Sequence, residues 1–548
     1  MKTTYFLLLL PILLLLACMP DQREARRKAG EAVINIGADP RTLDPSKSTD
    51  NISARAILCF TRGLTTLDEN GKARPELAES WEVRDGGMTW VFKLRPAKWS
   101  NGEPVTALDF QYAWVERMLN PEFRAEYAYM LFYIRGARTY YEARAKEIAD
   151  KVKETRLSTG TVWVTALAPD QLMVQLENPT PFFAEVVAHH SYFPVCEKVA
   201  RENPGWAQRA ETYVGNGPFK MTEYTPAKQI VGEKNPGYWD AANVGLKKIT
   251  LRMIEKESGE RASFDTGEID GTQQVPRPDI DELKKRPEYR VTPNDSVYFL
   301  NLNCERDTFT DPRVRRALAL AIDRKAIVTN VMRAGEAVAG GLVPPALYAD
   351  PPAAFFPDYK PDEARRLLAA AGFPGGKGFP RIKYLYNRMD YHTLIAQVIQ
   401  EQWKRELGIV MDVEAQEFRV LIDNRRAGKF DVARAGWAAD FADPINFLEI
   451  FDSKSENNDS HWKNKGYDEL LQKARHEADA ANRQAALKAA EAYLMDAMPA
   501  IPIFFHTQPY LCAEGLNYEL NPMTLFDAAR LAWIAPGAGA AQPSPKQQ

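Results

Sequence analysis

A strand-helix-strand pattern between residues 382 and 413 restricts the fold more than any other feature of the sequence. Ile382 to Tyr386 is typical of a strand, and Tyr391 to Leu407 has the apolar spacing of a helix. Gly408 stops this helix, and Ile409 to Val413 returns to strand character. Such a unit joins parallel strands, which need a largely buried sheet. The sequence therefore predicts an α/β fold.

Other stretches of the chain also alternate between helix and strand character. Asp311 and Pro312 form a favourable helix start, so we expect a helix over Arg313 to Met332 that Gly335 closes. Tyr467 to Met498 predicts one long helix or two shorter ones, because it is rich in Ala, Glu, Lys and Arg. Thr89 to Leu94 alternates as a strand does.

Length and composition place the chain among soluble globular proteins with several domains. The 548 residues are 45% hydrophobic and 26% charged, and a chain of this length implies more than one domain. The net charge of −3 gives no reason to expect nucleic acid as a partner.

The N-terminus predicts export and a lipid anchor. Lys2 precedes an apolar run from Phe6 to Leu16, which is too short to span a bilayer but suits a signal peptide over 1–17. The run ends in Leu15-Leu16-Ala17-Cys18, a bacterial lipobox pattern in which lipid on Cys18 replaces the cleaved helix as the anchor. Residues 18–29 are then a spacer. The alternative is an ordinary secretory signal with a chance cysteine.

No common catalytic or metal-binding motif is present. The sequence has no GxSxG, HExxH, P-loop or Gly-rich dinucleotide turn, and none of the six histidines has the i, i+4 spacing of a metal pair. On a strand, the adjacent His189 and His190 would point to opposite faces. We therefore expect no catalytic residue, no metal and no cofactor.

The four cysteines beyond Cys18 are far apart in the sequence and form no CxxC motif. Export permits disulfides, but four cysteines allow three full pairings and the sequence selects none. We expect them to be small buried residues. They are Cys59, Cys196, Cys304 and Cys512.

The segment from Phe430 to Pro444 is the strongest candidate for a binding site. An apolar, β-branched strand that carries Arg434 runs into Gly436 and Trp437, and then into a loop with the carboxylates Asp440 and Asp443. The alternative is a surface strand followed by an Asp-Pro turn.

A series of motifs in consistent order, from about Ile34 to about Pro509, resembles the family of extracellular solute-binding proteins that serve peptide importers. The motifs are Thr42-Leu43-Asp44-Pro45, Pro75-Glu76-Leu77-Ala78-Glu79-Ser80-Trp81, Trp90-Val91-Phe92-Lys93-Leu94-Arg95, the stretch from Lys98 to Phe110, Asn216-Gly217-Pro218-Phe219, Asn235-Pro236-Gly237-Tyr238-Trp239, Gly267-Glu268-Ile269-Asp270 and Asp311-Pro312-Arg313-Val314-Arg315-Arg316-Ala317-Leu318.

This resemblance implies a two-lobed, three-domain periplasmic-binding-protein fold of the α/β class that closes around its ligand at a hinge. It also implies that the chain crosses between the lobes. The expected division is a first lobe from 30–61, 188–292 and 507–535, an accessory domain from 62–187, a second lobe from 293–506, and a disordered tail from 536–548.

The resemblance also assigns roles to the residues of the candidate site. Asp440 matches the carboxylate that pairs with a peptide ammonium, a strong interaction in a closed cleft. Backbone groups around Gly436 and Ala438 would bind the ligand as an added strand. Three further positions match residues that meet the ligand carboxylate, with the alternative that the two arginines pair with acids of their own lobe. They are Arg434, Arg425 and His392.

At two positions of the candidate site, this chain differs from the residues that are usual in the family it resembles. Where related oligopeptide binders carry a Glu, this chain has Thr49, so either Asp50 supplies the charge or the preferred ligand differs. Ala438 stands where a cysteine is frequent, which suggests a missing disulfide. The remaining ligand-binding candidates are Asn51 and the pocket-lining Tyr127, Phe418 and Trp437.

The expected protein is therefore a monomeric, lipid-anchored binding protein of the cell envelope. It would capture short peptides and deliver them to the membrane permease of an ATP-driven importer, with no chemistry of its own. One alternative in the same fold binds another solute, such as a metal chelate, haem or a sugar. A second alternative is a cell-surface peptidase. The sequence does not indicate which membrane carries the anchor.

Overall fold

The computed structural model describes residues 22–68, 71–151 and 158–534. The predicted signal peptide, Cys18 and the predicted tail 536–548 lie outside the described residues. The strands are β1 (Glu31–Asn35), β2 (Thr65–Leu67), β3 (Ala73–Pro75), β4 (Ala78–Arg84), β5 (Thr89–Leu94), β6 (Val164–Ala168), β7 (Gln171–Gln175), β8 (Phe219–Thr225), β9 (Gln229–Lys234), β10 (Lys248–Arg252), β11 (Tyr289–Leu302), β12 (Ala337–Val338), β13 (Ile382–Asn387), β14 (Met411–Gln416), β15 (Val432–Ala438) and β16 (Ala500–Leu511).

Helices cover the faces and ends of these sheets. Two of the helical segments, Tyr112–Met118 and Val328–Met332, have π geometry. The α-helices are Gln22–Ala29, Asn51–Phe60, Ala107–Gln111, Ala137–Ala149, Phe183–Val186, Glu197–Glu202, Glu257–Asp265, Ile280–Leu283, Asp307–Thr310, Pro312–Leu320, Arg324–Ile327, Pro361–Ala370, Asp390–Leu407, Phe418–Arg426, Ile445–Leu448, Lys465–His476 and Ala480–Ala497.

A six-stranded sheet in the order β12-β16-β11-β15-β13-β14 contains the predicted strand-helix-strand unit. β13 and β14 pair in parallel, and the helix Asp390–Leu407 connects them. Gly408 ends this helix with a φ of +68°, and its N–H donates to the carbonyl of Lys404. The α/β prediction is confirmed, with the second strand beginning at Met411.

Two other sheets precede it in the chain. The sheet β1-β10-β9-β8 has a parallel pair, β1 and β10, and is otherwise antiparallel. The sheet β4-β5-β7-β6 is antiparallel throughout, and β2 and β3 form a separate pair beside it. β5 confirms the predicted strand from Thr89 to Leu94, and its alternate residues Trp90, Phe92 and Leu94 are buried.

The long strands β11 and β16 connect two of these sheets. They pair antiparallel from Tyr289 opposite Leu511 to Asn301 opposite Ala500, with register shifts between Pro293 and Val297 and between Tyr298 and Phe299. Next to the Leu511 end, Gly271 bridges to both Cys512 and β1. The two strands therefore run from the four-stranded sheet of β1 into the six-stranded sheet, which gives a two-lobed α/β fold.

The prediction of one continuous helix from Arg313 to Met332 is wrong, because the structure has separate helices there. The first helix, Pro312–Leu320, ends, and Asp323 then starts the short helix Arg324–Ile327 by accepting the N–H of Ala326 at 2.8 Å. The predicted helical region from Tyr467 to Met498 consists of two helices, because Asp479 starts the second as its N-cap.

The N-terminal helix Gln22–Ala29 is docked on the folded body. Arg26 pairs with the buried carboxylate of Asp270 at 2.6 Å, and Arg23 donates to the carbonyl of Ile269 at 2.9 Å. From Gln22 onward, the segment predicted to be a spacer therefore packs against the protein, because buried Asp270 needs a cationic partner.

The four cysteines of the described chain are all free thiols. Cys59, Cys196 and Cys512 are buried as expected, whereas Cys304 is half-buried. No helix within the described residues is both long enough and apolar enough to cross a membrane.

Candidate functional site

The candidate site is built on the free edge of β15, which we define as Arg434 to Ala438. β15 pairs with β11 over its whole length, from Val432 opposite Leu302 to Ala438 opposite Ser296. On its other side, β15 pairs with β13 only through Val432 and Ala433. No other strand among the described residues covers the remaining edge.

The register shows which backbone groups face this free edge. The N–H of Ala439 donates to the carbonyl of Asp295 at 2.8 Å. In an antiparallel ladder, hydrogen-bonded and non-hydrogen-bonded pairs alternate, so Gly436 and Ala438 direct their N–H and C=O groups away from β11. These groups can pair with another extended chain.

The strand ends at Ala438, so Asp440 lies in the loop that follows and does not share a strand face with Arg434. Asn446 fixes this loop. Its Oδ1 accepts the indole N–H of Trp437 at 2.8 Å and the backbone N–H of Asp440 at 3.2 Å. Because Asn446 is buried, it holds the end of the strand and the carboxylate in one arrangement.

Asp440 is half-buried and has no cationic partner among the described residues. Burial raises the pKa of its carboxyl group to about 7; a hydrogen bond from Asn446 opposes this rise and the nearby Glu449 adds to it. Its charge also contributes, after burial, to the raised pKa values of Tyr127 and Tyr129, so these two residues lie close to it.

The second carboxylate of the same loop has a different role. Asp443 is buried and pairs with buried Arg483 through two contacts of 2.8 Å each. This bidentate pair is satisfied within the protein. Asp440 is therefore the carboxylate of the loop that is available to an external cation.

Thr49 lies next to Tyr127, whose hydroxyl donates to the backbone carbonyl of Thr49 at 3.3 Å. The hydroxyl of Thr49 accepts from the exposed Arg41 at 3.3 Å. Asp50 is the N-cap of the helix Asn51–Phe60, and its two oxygens accept from the backbone and hydroxyl of Ser53. The carboxylate that could replace the missing Glu is thus engaged in a helix cap.

Arg434 and His392 form the other end of the candidate site. Arg434 makes no ion pair with a carboxylate of the described chain, and its guanidinium lies 5.2 Å from the ring centroid of Tyr298. His392 is fully buried, and neither of its ring nitrogens has a hydrogen-bond partner there. Burial, Arg434 and His506 lower the pKa of His392 to about 2, so its ring is neutral.

Arg425 forms an ion pair with an acid of its own lobe, which is the alternative that the sequence left open for the two arginines. Its Nη2 lies 2.6 Å from Oδ2 of the buried Asp459, and its Nη1 donates to the backbone carbonyl of Arg434 at 3.1 Å. Arg425 therefore supports the strand that carries Arg434. Any direct contact between Arg425 and a ligand stays a prediction.

The other candidates differ in how close they come to the free edge. Trp437 is half-buried within it. A Cβ on Gly436 would lie 3.3 Å from Nη2 of Arg434, so the glycine leaves room for that guanidinium. Phe418 is 54% exposed at the start of its helix, on an open surface. The exposed Asn51 turns its amide towards Thr524, at 3.3 Å.

His189 and His190 do not lie on a strand, because His189 caps the short 3-10 helix His190–Tyr192, so the argument about opposite strand faces does not apply to them. Their ring centroids are 4.1 Å apart, and the ring of His189 lies 5.5 Å from that of Tyr127. No group of three or more metal-ligating side chains occurs within the described part of the chain.

Several residues of the site were missed by the sequence reasoning. The amide of Asn446 follows an Asp-Pro pair, where turn residues are ordinary, so it carried no special signal. His506 lies on β16, and it approaches Arg434 only through the pairing of β16 with β11. Tyr129 follows Tyr127 by two positions, and this spacing was the single local hint.

The fold and the site together define the class of the protein. Two α/β lobes share the strands β11 and β16, and one of them carries the free edge of β15. Among the described residues, Asp440 and Arg434 at this edge have no ion-pair partner. This arrangement is that of a two-lobed solute-binding protein. The family model for bacterial extracellular solute-binding proteins, family 5, matches residues 72–459, and the chain belongs to this family.

Similar proteins extend over almost the whole chain. The chain is 37% identical over 504 residues to the oligopeptide-binding protein OppA of Bacillus subtilis, with 90% of each covered. It is 33% identical over 480 residues to the probable deoxycholate-binding periplasmic protein YgiS of Escherichia coli, over 86% of this chain and 87% of that protein. The solved structure of Haemophilus influenzae OppA in complex with RPPGFSPFR matches with a TM-score of 0.76 and 30% identity, over 93% of this chain and 99% of that one.

The two carboxylates of the loop should affect stability in opposite directions. The pKa of Asp440 is higher in the folded protein than in the unfolded chain. The folded protein therefore loses stability as the pH rises from about 4 to 7, because the unfolded chain releases this proton more readily. In the ligand-free protein, Asp440→Asn should therefore raise the melting temperature relative to wild type, increasingly between pH 5 and 7.5.

Asp443→Asn is the matched comparison for this measurement. It leaves buried Arg483 without its ion pair, which should cost about 3–5 kcal/mol and lower the melting temperature at every pH in this range. A lower melting temperature for Asp440→Asn at pH 8 would show that Asp440 has an internal partner and is not available to a ligand.

Proposed function

We propose that the protein captures short peptides by their N-terminal ammonium and their backbone. The observation that carries this proposal is Asp440, a half-buried carboxylate with no cation of the described chain beside it. A peptide ammonium supplies the missing charge, and a charge-assisted hydrogen bond in a water-poor site is strong. Without such a partner, removal of the ionised Asp440 carboxylate from water would be energetically costly.

The free edge of β15 supplies the second part of the recognition. Backbone groups of Gly436 and Ala438 pair with an extended ligand as with an added strand, which gives affinity without side-chain choice. Ligand side chains then lie near Trp437 and Tyr127, where water can adapt to different chemical groups. This mode suits a mixed population of peptides.

Arg434 binds the ligand carboxylate at the opposite end. Its planar guanidinium matches a carboxylate, and no acid of the described residues competes for it. His392 stays neutral beside it and offers one N–H donor. From Arg434 to Ala438 the strand spans about 13 Å, which suits ligands of roughly three to five residues.

The protein delivers its ligand to the permease of an ATP-driven importer and performs no chemistry of its own. The names of the relatives support this role, since they include an oligopeptide-binding protein. The protein is a monomer on the outer side of a membrane, held there by lipid on Cys18. The lipobox supports the anchor.

The domain division follows the sequence prediction, with hinge closure at the crossover strands. Three observations support it. The strands β1, β8, β9 and β10 fall within 30–61 and 188–292. The strands β2 to β7 fall within 62–187. The β11–β16 ladder has a register shift between Pro293 and Val297, at the proposed boundary. Irregular strand pairing is where a long ladder can bend.

A second candidate function is binding of an amine-free carboxylate. The similarity to a probable deoxycholate-binding protein favours it, and Arg434 would suit such an anion. Under this alternative, Asp440 would remain without a cation in the bound state, which is unfavourable. Ligand identity therefore decides between the two functions.

Asp440→Asn should weaken the binding of trialanine about 100-fold or more, because the charge that meets the ammonium is lost. In isothermal titration calorimetry, wild type should bind trialanine and fail to bind N-acetyl-trialanine. The wild-type Kd should rise as pH falls from 7 to 5, by about tenfold per unit, because a protonated Asp440 must lose its proton to bind. Unchanged affinity in Asp440→Asn, or binding of deoxycholate in place of trialanine, would reject the ammonium site.

Arg434→Gln should weaken the binding of trialanine by about tenfold and leave the binding of trialanine amide unchanged, because only the former carries a carboxylate. The matched control is Arg425→Gln, which breaks the pair with Asp459. It should lower the melting temperature and preserve the preference for the free carboxylate. If Arg425→Gln alone removes this preference, the assignment of the carboxylate end to Arg434 is incorrect.

Cys18→Ala should release the protein from the membrane fraction and abolish its labelling with radioactive palmitate, since the thiol carries the anchor. The buried free thiol of Cys59 provides the control, and Cys59→Ala should remain in the membrane fraction. Membrane retention of the Cys18→Ala protein would contradict lipid anchoring.

A further inference from the structure

The loop of Asp440 is held by aromatic residues from a distant part of the chain. Phe441, next to Asp440 in sequence, lies with its ring centroid 5.3 Å from Phe182 in a stacked arrangement. It lies 5.8 Å from Tyr133 with the two rings nearly perpendicular, and Tyr133 and Phe182 are themselves 5.9 Å apart. We call these three residues the aromatic clamp.

Two rings of the clamp are buried, and a cation packs against one of them. Phe441 is 1% exposed and Phe182 is 8% exposed. The guanidinium of Arg483 lies 4.5 Å from the ring centroid of Phe182 while it pairs with Asp443. Aromatic pairs at these centroid distances stabilise a structure beyond the area that they bury, and the cation over Phe182 adds to this stabilisation.

The clamp joins two parts of the protein that the ligand must bring together. Tyr133 and Phe182 belong to the segment 62–187 that contains β2 to β7, whereas Phe441 lies three residues after the end of β15 and its free edge. A second contact supports the same docking, since a Cβ on Gly71 would lie 3.4 Å from Cβ of Ala442. The segment 62–187 therefore packs directly on the loop that carries the candidate carboxylate.

We propose that Phe441, packed against both Tyr133 and Phe182, is the positioning residue through which the segment 62–187 holds Asp440 in place for the ammonium of the ligand. This inference rests on the proposed function. With Phe441 seated, the backbone of Asp440 is restrained on both sides, by the clamp and by Asn446. The clamp also excludes water from the side of Asp440 that the loop covers.

The restraint has a consequence for the chemistry of Asp440. The titratable groups that face Asp440 are Glu449, at the start of the 3-10 helix Glu449–Phe451, and Tyr127 and Tyr129 from the segment 62–187. None of these is a cation, so exclusion of water is what keeps the carboxyl group poorly solvated. Loosening the clamp admits water, which stabilises the carboxylate and makes an external ammonium less necessary.

The test uses Phe441→Leu and Phe182→Leu in the full-length protein, with trialanine and N-acetyl-trialanine as ligands in calorimetry. Each variant should weaken trialanine binding by about tenfold and reduce the preference for the free amine over the acetylated peptide. The double variant should lose no more affinity for trialanine than the weaker-binding single variant does, because both changes disrupt the same cluster. The pH at which trialanine affinity begins to fall should also move to lower values.

Phe309→Leu is the matched control, since Phe309 is fully buried in the other large core cluster, away from the clamp. It should lower the melting temperature and leave both the amine preference and the pH profile unchanged. Clamp variants that keep the wild-type preference and pH profile would overturn the inference, as would an equal loss in Phe309→Leu. If wild type itself does not distinguish the two peptides, the proposed function fails and this inference fails with it.

Discussion

Strand β11 pairs with β16 on one side and with β15 on the other, and these two ladders place most of the candidate site. The β16 ladder carries the chain between the lobes and brings His506 towards Arg434. The β15 ladder satisfies one edge of β15 and sets its register, so that Gly436 and Ala438 present their backbone groups on the other edge. A shift of one residue would turn those groups back towards β11.

Electrostatics then separates residues that look alike in the sequence. Asp440 and Asp443 are three positions apart in one loop, yet Arg483 neutralises only Asp443. Arg425 and Arg434 differ in the same way, because Asp459 pairs only with Arg425. Within the described residues, Asp440 is left without a cationic partner and Arg434 without an anionic one, at the two ends of the free edge. Opposite charges separated in this way suit a ligand that carries an ammonium and a carboxylate.

The sequence predicted the local elements well where periodicity and caps were clear. The strand-helix-strand unit around Asp390–Leu407 is confirmed because apolar spacing and a left-handed Gly408 are local signals. The helix break at Asp323 was missed, since an aspartate within a helical pattern can be either a surface residue or a new N-cap. The adjacency of the rings of His189 and His190 was missed because it depends on the short 3-10 helix that His189 caps.

By itself, the sequence determined the α/β class, the family resemblance and the residue types of the candidate site, because these depend on local pattern and on motifs in order. It also indicated an exported chain through the apolar run that precedes Cys18. Only the tertiary structure decided which charged residues stay unpaired, which edge of β15 is free, and that Phe441 packs against Phe182. Those outcomes depend on contacts between residues that are distant in the chain, and no local pattern encodes which of the possible partners is satisfied.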